Sequence, residues 1–443
     1  MVEAVTVTNP IFSISINNYK VKNSMPSFFF QTFGCQMNVA DSDDLQRMLE
    51  ARGFSNCNGI ENADLIVVNT CSVRENAEQK AKARIYEFSR LKKKSAALWV
   101  VGCMAQRLGA ALKDEIPGVD LVIGAKEIDS MGMILDQYFP RQNALHTTLL
   151  KKSEISDFLA VMRGCNNYCA YCIVPYVRGS EKSIPVKMIE EAIKRRVSEG
   201  IKEINLLGQN VNSYNDEGVD FADLLRKISS IDGLERIRFT TSHPKDCSEK
   251  LIKTIAEIPK ICKHLHLPFQ AGSDRILKLM NRRYSSSQYR SLIEMTRKHI
   301  PDADITTDII VGFPSETDDE FRETLNLVKE VRFTTAFMFA YSVREGTRAA
   351  EMADDVPGEI KLARLKELIE QQTAITRAIY DDFVGRELQM LVSGRQEKRE
   401  KLWMGMDQGC KRLLLSCENA EAGMIFKVRA VKSSGMTLIC ERI

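Results

Sequence analysis

The 443-residue sequence predicts an α/β protein with three successive folded regions. These are an N-terminal doubly wound parallel sheet, a central partial (β/α)6 barrel and a small C-terminal β-barrel. Apolar, strand-sized segments alternate with helical segments through the first two regions, which is typical of parallel sheets. Near the C-terminus, short β-like segments are separated by turns rich in Gly, Ser and Lys. At roughly 100–200 residues per domain, the length agrees with three regions.

The composition is that of a globular protein. Hydrophobic residues make up 44% and charged residues 27%, which excludes a largely disordered chain. The formal net charge is only +3, so any nucleic-acid-binding surface must be local. No apolar segment approaches the ~20 residues of a membrane span, and the N-terminus lacks the pattern of a signal peptide. We therefore expect a cytoplasmic protein with no membrane partner.

The N-terminal region is expected to span residues 26–145. Residues 1–25 are polar and rich in Asn and Ser, and are predicted to be a disordered extension, with Met25 as a candidate start. The following segments alternate between buried strands and amphipathic helices. Strands are predicted at 28–33, 64–69, 96–101 and 119–123, and helices at 41–52 and 75–94. A linker is expected near 141–152.

The central region, 151–380, shows the same alternation of strands and helices in longer units. Six strands are predicted at 158–162, 203–207, 236–240, 264–268, 305–311 and 335–341. Six strand–helix units indicate a barrel that is not fully closed. Pro357 and Gly358 precede a long helix, whose predicted buried stripe is Leu362, Leu365, Leu368, Ile369, Gln372 and Ile375.

The C-terminal region, 381–443, has the pattern of a small β-barrel. Strands are predicted at 387–392, 413–415, 425–430 and 436–440.

The strongest chemical signal is Cys165-x-x-x-Cys169-x-x-Cys172, just after the first strand of the central region. Thiolates are soft ligands that suit zinc or iron–sulfur clusters. Structural zinc takes four protein ligands, and so does an electron-transfer ferredoxin cluster. Three thiolates on a four-iron cluster leave one iron open to a substrate or cofactor. The pattern therefore favours such a cluster over zinc or three incidental thiols.

Three further cysteines occupy equivalent places in the N-terminal region. Cys35, Cys71 and Cys103 each follow one of the first three long strands, with separations of 71 − 35 = 36 and 103 − 71 = 32 residues. Each separation is about one β–α–β unit, so the three thiols are expected at one edge of the sheet. Ligands bind at that edge in open α/β sheets. We interpret this trio as the ligands of a second cluster with an open iron.

These two cysteine trios and the C-terminal β-barrel resemble the radical S-adenosylmethionine methylthiotransferases. The similarity extends from about Ser27 to Ile443, and its most specific segments are 33–38, 69–78, 207–214, 241–244 and 270–274. Among the branches of that family, the sequence most resembles the one that acts on N6-dimethylallyladenosine in tRNA. The C-terminal barrel resembles a TRAM domain, which binds RNA.

The resemblance implies an enzyme with two [4Fe-4S] clusters and S-adenosylmethionine. One S-adenosylmethionine is the methyl donor and another is the radical source. The product is a methylthio group at C2 of N6-dimethylallyladenosine, at position 37 of a tRNA anticodon stem-loop. An electron donor such as flavodoxin or ferredoxin and a sulfur source are implied partners. The cofactor carries the hard chemistry that such an unactivated C–H bond demands.

Two alternatives remain open from the sequence. A sister branch acts on N6-threonylcarbamoyladenosine in tRNA, and a non-catalytic iron–sulfur RNA-binding sensor would also use six cysteines and a β-barrel. Only an enzyme needs an open iron within a β/α barrel, so the three-cysteine loop favours catalysis.

The resemblance also suggests contacts to the cofactor. Tyr171 stands where the superfamily places an aromatic ring against the adenine. Gln209 and Asn210 end the second strand, where the superfamily often has Gly-Gly-Glu, so this chain departs from that pattern. Asp308 and Gly312 lie on the fifth strand, whose backbone commonly meets adenosine.

Other residues carry weaker expectations. His264 and His266 are expected to be satisfied barrel residues, and the six cysteines outside the trios to be inert thiols. The segments Arg282-Arg283 and Lys92-Lys93-Lys94 are either phosphate contacts or solvated helix faces. Basic residues in the C-terminal region are expected to contact RNA phosphates, and removal of this region to spare cofactor cleavage. The basic set is Arg395, Lys398, Arg399, Lys401, Lys411 and Arg412.

Overall fold

A computed structural model describes residues 26–72, 75–139, 155–396 and 399–443 of the chain, without the side chains of 75, 76 and 399–401. The predicted extension 1–25 and linker 141–152 lie outside the described residues. The chain divides into two compact units, Met1–Leu149 and Leu150–Ile443. Within the described ranges, every helix is too short or too polar to cross a membrane.

The first unit is a five-stranded sheet with helices between its strands. Its strands are β1 (Ser27–Thr32), β2 (Ser55–Asn56), β3 (Leu65–Thr70), β4 (Ala97–Gly102) and β5 (Leu121–Gly124), and its helices are α1 (Gln36–Glu50), α2 (Glu75–Leu91), α3 (Cys103–Leu108), α4 (Ala111–Glu115) and α5 (Met131–Tyr138). The strand order is β2-β1-β3-β4-β5, and every pair is parallel.

Both faces of this sheet are covered by helices. On one face Leu65 shares a core with Leu45 of α1 and Leu135 of α5. On the other face Ile66 shares a separate core with Ile85 of α2. Neighbouring residues of a strand point to opposite faces, so a strand that is buried on both sides reads as a continuous apolar run. The predicted doubly wound sheet is confirmed.

The second unit begins with alternating strands and helices. The elements are β6 (Ser156–Ala160), β7 (Met162–Arg163), α6 (Val174–Arg178), β8 (Lys182–Ser183), α7 (Val186–Ser198), β9 (Glu203–Leu207), β10 (Asn215–Asp216), β11 (Val219–Asp220), α8 (Phe221–Ser229), β12 (Arg236–Phe239), α9 (Glu249–Glu257), β13 (His264–His266), α10 (Asp274–Leu279), α11 (Ser286–His299), β14 (Asp304–Val311), α12 (Asp318–Val331) and β15 (Thr335–Ala340), followed by α13 (Gly358–Asp382).

Six parallel strands of this unit form the predicted partial barrel. They fall into two three-stranded sheets, β6-β9-β12 and β13-β14-β15. A parallel bridge between Ile237 and Ile261 joins the two sheets. Ile237, Ile305 and Ile309 face a large core shared with the surrounding helices. The alternate residues of these strands therefore face the barrel interior.

The long helix α13 buries most of the predicted stripe, but two of its residues are exposed. Leu362 and Ile369 are exposed, whereas Leu368 is buried as expected. Arg364 is also buried, because its guanidinium pairs with the carboxylate of Glu316 at 2.9 Å. The predicted apolar stripe is therefore partly wrong: a paired cation takes a place that apolar side chains were expected to fill.

The C-terminal segment closes into a five-stranded barrel. Its strands, in the order β16-β17-β18-β20-β19, are β16 (Glu387–Gln396), β17 (Arg399–Met406), β18 (Arg412–Ser416), β19 (Ile425–Ser433) and β20 (Thr437–Arg442). The predicted small β-barrel is confirmed, although β17 was not foreseen. Its sequence, Arg-Glu-Lys-Leu-Trp-Met-Gly-Met, begins with charged residues and lacks a clear apolar alternation.

The turn 406–411 of this small barrel packs against the amino-terminal ends of the core strands. Arg236, the first residue of β12, donates hydrogen bonds to the carbonyl oxygens of Gln389 at 2.8 Å and Met406 at 2.6 Å. The buried side chain of Arg238 donates to two further carbonyl oxygens of the same turn. The small barrel thus closes the end of the core barrel opposite to the carboxyl ends of its strands.

The expectation that Lys411 contacts RNA phosphates is wrong. Its side chain is almost fully buried, and its ammonium group lies 2.6 Å from Asp304 Oδ2 and 3.5 Å from Asp407 Oδ2. A buried ammonium needs compensating charge, and these two carboxylates supply it. Lys411 therefore joins the small barrel to the core.

Candidate active site

The loop that carries the first predicted cysteine trio leaves the core barrel at the carboxyl end of β6 and β7. Gly164 turns the chain with φ of +77°, in the left-handed region that favours glycine. The backbone N–H of Cys165 then donates to Gly179 O at 3.1 Å, and that of Cys172 donates to Cys169 O at 2.9 Å. These bonds fold the loop back on itself, so the three thiols are held in one short segment.

The three thiols of this loop interact with one another in a mostly buried environment. Burial, together with the charge of Cys169, raises the pKa of Cys165 to about 11 and that of Cys172 to about 12. Without metal, Cys165 and Cys172 therefore stay protonated at neutral pH. Binding of a metal centre would release the protons and remove the cost of buried thiolates. Buried soft donors of this kind fit an iron–sulfur cluster.

Arg282 lies next to the cysteine loop and not on a phosphate-facing surface. Its guanidinium is buried, donating to Cys169 Sγ at 3.3 Å and to Pro268 O at 2.8 Å. Arg282 Nε donates a further hydrogen bond to Tyr284 Oη at 3.1 Å. Both interpretations of Arg282, as a phosphate contact and as part of a solvated helix face, are therefore wrong, whereas Arg283 is exposed. Sequence reasoning missed its place because Arg282-Arg283 resembles an ordinary charged surface pair.

Backbone strain marks the carboxyl ends of two neighbouring core strands. Thr241, directly after β12, has φ of +70°, and Gln270, after β13, has φ of +69°. Neither is glycine, so each costs conformational energy, and such strained residues cluster at functional sites. No sequence signal identified these conformations, although both residues fall in segments on which the family resemblance rests.

Buried polar atoms without a hydrogen-bond partner lie along the same strand ends. They are Asn210 Oδ1, Ser242 Oγ, Gln270 Oε1 and Glu316 Oε1. Buried polar groups in proteins are almost always paired, so each such atom needs an explanation. These four atoms lie near the carboxyl ends of β9, β12, β13 and β14. A polar ligand bound along these strand ends would supply their missing hydrogen-bond partners.

Gln209 and Asn210, two of the predicted cofactor contacts, lie at this edge and already have protein partners. Gln209 Oε1 accepts a hydrogen bond from the backbone N–H of Gly164 at 2.6 Å, directly before Cys165. Asn210 Nδ2 donates to Asp246 Oδ2 at 2.7 Å and is almost fully buried. Gln209 thus braces the cysteine loop, and only Asn210 keeps an unpartnered acceptor.

Tyr171, Asp308 and Gly312 lie on the same side of the barrel. Tyr171 packs with Ile310 in a small core beneath the cysteine loop. Asp308 faces the barrel interior, where its Oδ1 lies 3.5 Å from His266 Nε2. Gly312 directly follows β14 with φ of +68°, and its N–H donates to Glu316 Oε2 at 2.6 Å. All three residues are therefore near the strand ends where the unpartnered atoms lie.

The two strand histidines have partners in the barrel wall, as expected. His264 Nε2 lies 2.8 Å from Thr306 Oγ1, and His266 Nδ1 lies 3.0 Å from the same oxygen. Burial lowers the pKa of His264, so it is neutral at physiological pH. These side chains form a polar strip along the interior.

The second predicted trio lies at one edge of the N-terminal sheet. Strand β1 pairs with β3 so that Thr32 is opposite Asn69, and β3 pairs with β4 so that Thr70 is opposite Gly102. Cys71 and Cys103 thus directly follow two paired residues, and Cys35 leaves the neighbouring strand. Cys71 and Cys103 are buried, and Cys35 is exposed at the start of α1.

The loops of this second trio are tied together by two asparagines. Asn38 Nδ2 donates to the carbonyl oxygens of Phe33 and Thr70, both at 2.9 Å, and so links the loops after β1 and β3. Asn69 Nδ2 donates to Asn38 O at 2.9 Å. Gly34 approaches Cys71 so closely that a Cβ on Gly34 would lie 2.5 Å from Cys71 Cβ. The loops that carry Cys35 and Cys71 are therefore in direct contact.

In the described ranges, no three His, Cys, Asp or Glu side chains converge tightly enough to hold a single metal ion. A four-iron cluster has a different requirement, because its cysteines bind different iron atoms and need not meet at one point. Both trios provide soft donors at the carboxyl ends of parallel strands, where ligands bind in such folds.

Two of the predicted RNA-contacting cations are exposed on the small barrel. Arg395 lies over the Trp403 ring, 4.8 Å from its centroid, and Arg412 is exposed at the start of β18. Lys398 lies outside the described residues, as do the side chains of Arg399 and Lys401. In the N-terminal unit, Lys92 pairs with Asp120 at 2.6 Å and Lys93 donates to Asn62 O at 2.9 Å. The Lys92 side chain is only 13% exposed, so Lys92 is not part of a solvated helix face.

Two family models match the chain. The model described as the Radical SAM superfamily matches residues 159–328, and the one described as Uncharacterized protein family UPF0004 matches residues 27–124. The first match covers the three-cysteine loop and the barrel strands from β6 to β14, and the second covers all five strands of the N-terminal sheet.

Solved structures show the same fold at low sequence identity. A radical S-adenosylmethionine methyltransferase, TsrM from Kitasatospora setae, superposes with a TM-score of 0.56 at 12% identity, covering 74% of this chain and 75% of that one. The cobalamin-dependent S-adenosylmethionine radical enzyme OxsB gives 0.50 at 12% identity over 78% and 56% of the two chains.

Relatives of similar length carry one enzyme name, tRNA-2-methylthio-N(6)-dimethylallyladenosine synthase. The relative from Clostridium botulinum (strain Loch Maree / Type A3) is 41% identical over 97% of this chain and 99% of its own length. That from Endomicrobium trichonymphae is 46% identical over 82% and 88%, and that from Acetivibrio thermocellus is 42% identical over 91% and 88%. The chain therefore belongs to the tRNA-2-methylthio-N(6)-dimethylallyladenosine synthase family of radical S-adenosylmethionine enzymes.

Proposed function

We propose that this enzyme adds a methylthio group to C2 of N6-dimethylallyladenosine at position 37 of tRNA. The observation that carries the proposal is the near full-length identity of 40% or more to relatives named for this activity. The two cysteine trios support it, since each lies at the ligand-binding edge of a separate parallel sheet. Enzymes of this class use S-adenosylmethionine and two [4Fe-4S] clusters.

In this proposal each trio holds one cluster. Cys165, Cys169 and Cys172 would bind the cluster of the core barrel, and Cys35, Cys71 and Cys103 that of the N-terminal sheet. When bound, the core cluster and S-adenosylmethionine supply the radical that an unactivated aromatic C–H bond requires, together with the transferred methyl group. S-adenosylmethionine would lie along the unpartnered polar atoms at the core strand ends, near Tyr171, Asn210, Asp308 and Gly312.

The protein's own side chains would prepare this site in three ways. Gln209 anchors Gly164, and Arg282 donates to Cys169 Sγ, so both hold the cysteine loop in place. The small barrel closes the amino-terminal end of the core, which keeps water from entering at that side. The polar strip of His264, His266 and Thr306 provides hydrogen-bonding groups within the interior.

The partners follow from the same proposal. The tRNA anticodon stem-loop with its prenylated adenosine would be the substrate, and exposed Arg395 and Arg412 would contact its phosphates. Reduction of the core cluster needs a small electron donor such as flavodoxin or ferredoxin, and the transferred sulfur needs a source. These partners and the tRNA itself are consistent with a cytoplasmic location.

Two alternative functions are less well supported. A methylthiotransferase for N6-threonylcarbamoyladenosine would share the fold and both trios, but the relatives compared above carry the dimethylallyl name. A non-catalytic RNA-binding sensor would not require strained residues and unpartnered polar atoms at the strand ends of the core.

Mass spectrometry of tRNA nucleosides tests the proposal. Cells that lack this chain should accumulate N6-dimethylallyladenosine without its methylthio derivative, and the chain should restore that derivative. A variant in which Cys165, Cys169 and Cys172 are all replaced by Ala should not restore it. Restoration of methylthio-threonylcarbamoyladenosine instead would establish the sister activity, and no change in either nucleoside would contradict both enzymatic functions.

A further inference from the structure

Large apolar side chains are exposed on the interior wall of the core barrel. Phe337 on β15 has 51% of its surface exposed, and Phe339 has 37%. Their neighbours Ala336 and Met338 pack into the helix-covered core instead. Because side chains alternate along a strand, Phe337 and Phe339 share the opposite, inward face. Exposed aromatic rings inside a barrel indicate a binding surface and not a folding requirement.

The residues beside Phe337 support its inward orientation. Strand pairing sets Asp308 directly across from Phe337. The His266 ring meets the Phe337 ring edge-on, with centroids 6.0 Å apart and planes at 73°. Thr306 Oγ1 lies 3.0 Å from His266 Nδ1, and Asp308 Oδ1 lies 3.5 Å from His266 Nε2, so polar groups flank both ring nitrogens. The wall therefore combines one half-exposed phenyl ring with a polar histidine–aspartate pair.

From this arrangement we propose that Phe337 is a specificity-determining residue that contacts the dimethylallyl group of the substrate adenosine. This inference rests on the proposed function and names the surface that recognises its substrate. The dimethylallyl group is a five-carbon hydrocarbon that cannot form hydrogen bonds, so only apolar burial can distinguish it from a hydrogen atom. An exposed phenyl ring provides that burial.

The same wall disfavours the rival substrate. A threonylcarbamoyl group carries a carboxylate and a hydroxyl, which would lose hydration against the Phe337 ring. The Asp308 carboxylate lies opposite Phe337 and would repel the substrate carboxylate. Asp308 is also a proposed cofactor contact, so a base held against Phe337 would lie close to the cofactor, as the reaction requires.

Binding of two matched RNAs tests the proposal. The full chain would be titrated with an anticodon stem-loop containing N6-dimethylallyladenosine and with the same stem-loop containing unmodified adenosine. Phe337→Ala should weaken binding of the prenylated RNA at least about tenfold, which corresponds to ~1.4 kcal/mol, because burial of two methyl groups gives about that much. Its affinity for the unmodified RNA should change less than about twofold.

Two further variants act as controls. Phe337→Leu keeps an apolar side chain and should retain most of the preference for the prenylated RNA. Met188→Ala removes an equally exposed apolar side chain from the outer helix α7 and should change neither affinity. Phe337 is half exposed, so its replacement should leave the thermal unfolding temperature nearly unchanged.

The outcomes separate this inference from the proposed function. If the wild-type chain does not distinguish the two RNAs, both the proposed substrate and the role of Phe337 are wrong. If the wild type prefers the prenylated RNA and Phe337→Ala keeps that preference, the proposed function stands and the role of Phe337 is overturned. An equal loss of affinity for both RNAs would also overturn it, because Phe337 would then support RNA binding in general.

Discussion

Lys411 of the C-terminal barrel forms a buried ion pair with Asp304 at the start of β14. Its ammonium nitrogen lies 2.7 Å from Oδ1 and 2.6 Å from Oδ2 of that carboxylate, which also accepts hydrogen bonds from Cys410 N–H and the Thr334 hydroxyl. Burial opposes the charge on Lys411, but the carboxylates of Asp407 and Asp304 outweigh it and raise the Lys411 pKa. Lys411 is therefore charged at neutral pH, and its pairing with Asp304 fixes the small barrel to the core.

Replacement of Lys411 by Met should strongly destabilise the second unit. The substitution leaves two buried carboxylates without their cation, which typically costs about 3–5 kcal/mol. Urea unfolding of the full chain measures this loss. The matched control is Lys427→Met, since Lys427 pairs with Glu387 at 2.5 Å but both side chains are exposed. That loss should stay below about 1 kcal/mol. Equal losses in the two variants would contradict a structural role for the buried pair.

This junction changes the expectation for removal of the C-terminal barrel. Truncation at Asp381 would leave Arg236, Arg238 and Asp304 at the base of the core without their partners in the turn 406–411. Cofactor cleavage would then be lost through unfolding, so the sequence-based expectation that truncation spares it is not supported. Surface substitutions are a better test of RNA binding.

The double variant Arg395→Glu and Arg412→Glu should weaken tRNA binding without affecting cofactor cleavage. Both residues are exposed on the small barrel and far in sequence from the cysteine loop. Each lost phosphate contact should reduce the slope of log affinity against log salt by about 0.7–0.9. Titration of labelled tRNA at several salt concentrations measures that slope. An unchanged slope would mean that these arginines are not phosphate contacts.

The free energy of unfolding of the second unit should decrease as the pH is lowered, because the buried His243 side chain resists protonation. Burial, reinforced by the charges of Arg282, Lys245 and Arg283, lowers the His243 pKa to about 2. The unfolded chain has its His pKa near 6.5, so it binds more protons than the folded chain between these values. Stability contributed by His243 is therefore complete above pH ~6.5 and declines by up to about 1.4 kcal/mol per pH unit below it.

A comparison with His243→Asn isolates this contribution. Asn offers a side-chain oxygen to the backbone N–H of Lys245, which now donates to His243 Nδ1 at 3.2 Å. Urea midpoints from pH 7 to pH 5 should fall less steeply for the variant than for the wild type. Parallel curves would show that His243 does not set the acid sensitivity.

The fold was largely predictable because its strands are buried on both faces. Such strands appear as continuous apolar runs, for example Leu65–Thr70 and Ala97–Gly102, and glycine or helix-capping residues mark their ends. Prediction failed where buried polar groups replace apolar ones. Arg364 and Lys411 are buried because carboxylates from distant segments neutralise their charges. The sequence next to each residue gives no indication of such a distant partner.

The sequence predicted those parts of the candidate site that can be recognised from the spacing of residues along the chain. The six cysteines stand out because their positions relative to strand ends place them at sheet edges. The structural features of Gln270, Ser242 and Arg282 could not be predicted, because they depend on a positive φ, an unpartnered buried atom or a tertiary contact. Alternation along the predicted strand 335–341 could have indicated Phe337, since Phe337 and Phe339 share one face.

Gly34→Ala should disable the N-terminal cysteine site while sparing the core site. Gly34 has φ of +122°, a conformation that side chains rarely adopt, and an added Cβ would lie 2.5 Å from Cys71 Cβ and 3.1 Å from Cys71 Sγ. The Cys71 thiol would have to move away from the sheet edge. We expect anaerobically reconstituted protein to retain about four irons instead of about eight, since each trio holds its own cluster.

The matched control is Gly53→Ala, because Gly53 also has a positive φ of +84° but has no atom within 4 Å of the added Cβ. It should cost about 1 kcal/mol of backbone strain and keep both clusters.

Gly34→Ala should still release 5′-deoxyadenosine from S-adenosylmethionine, because Cys165, Cys169 and Cys172 are unchanged, yet form no methylthio product. Iron analysis and nucleoside mass spectrometry on the same preparations separate these outcomes. Loss of all iron from Gly34→Ala would indicate one shared cluster, and full product formation would show that Cys71 does not serve the second site.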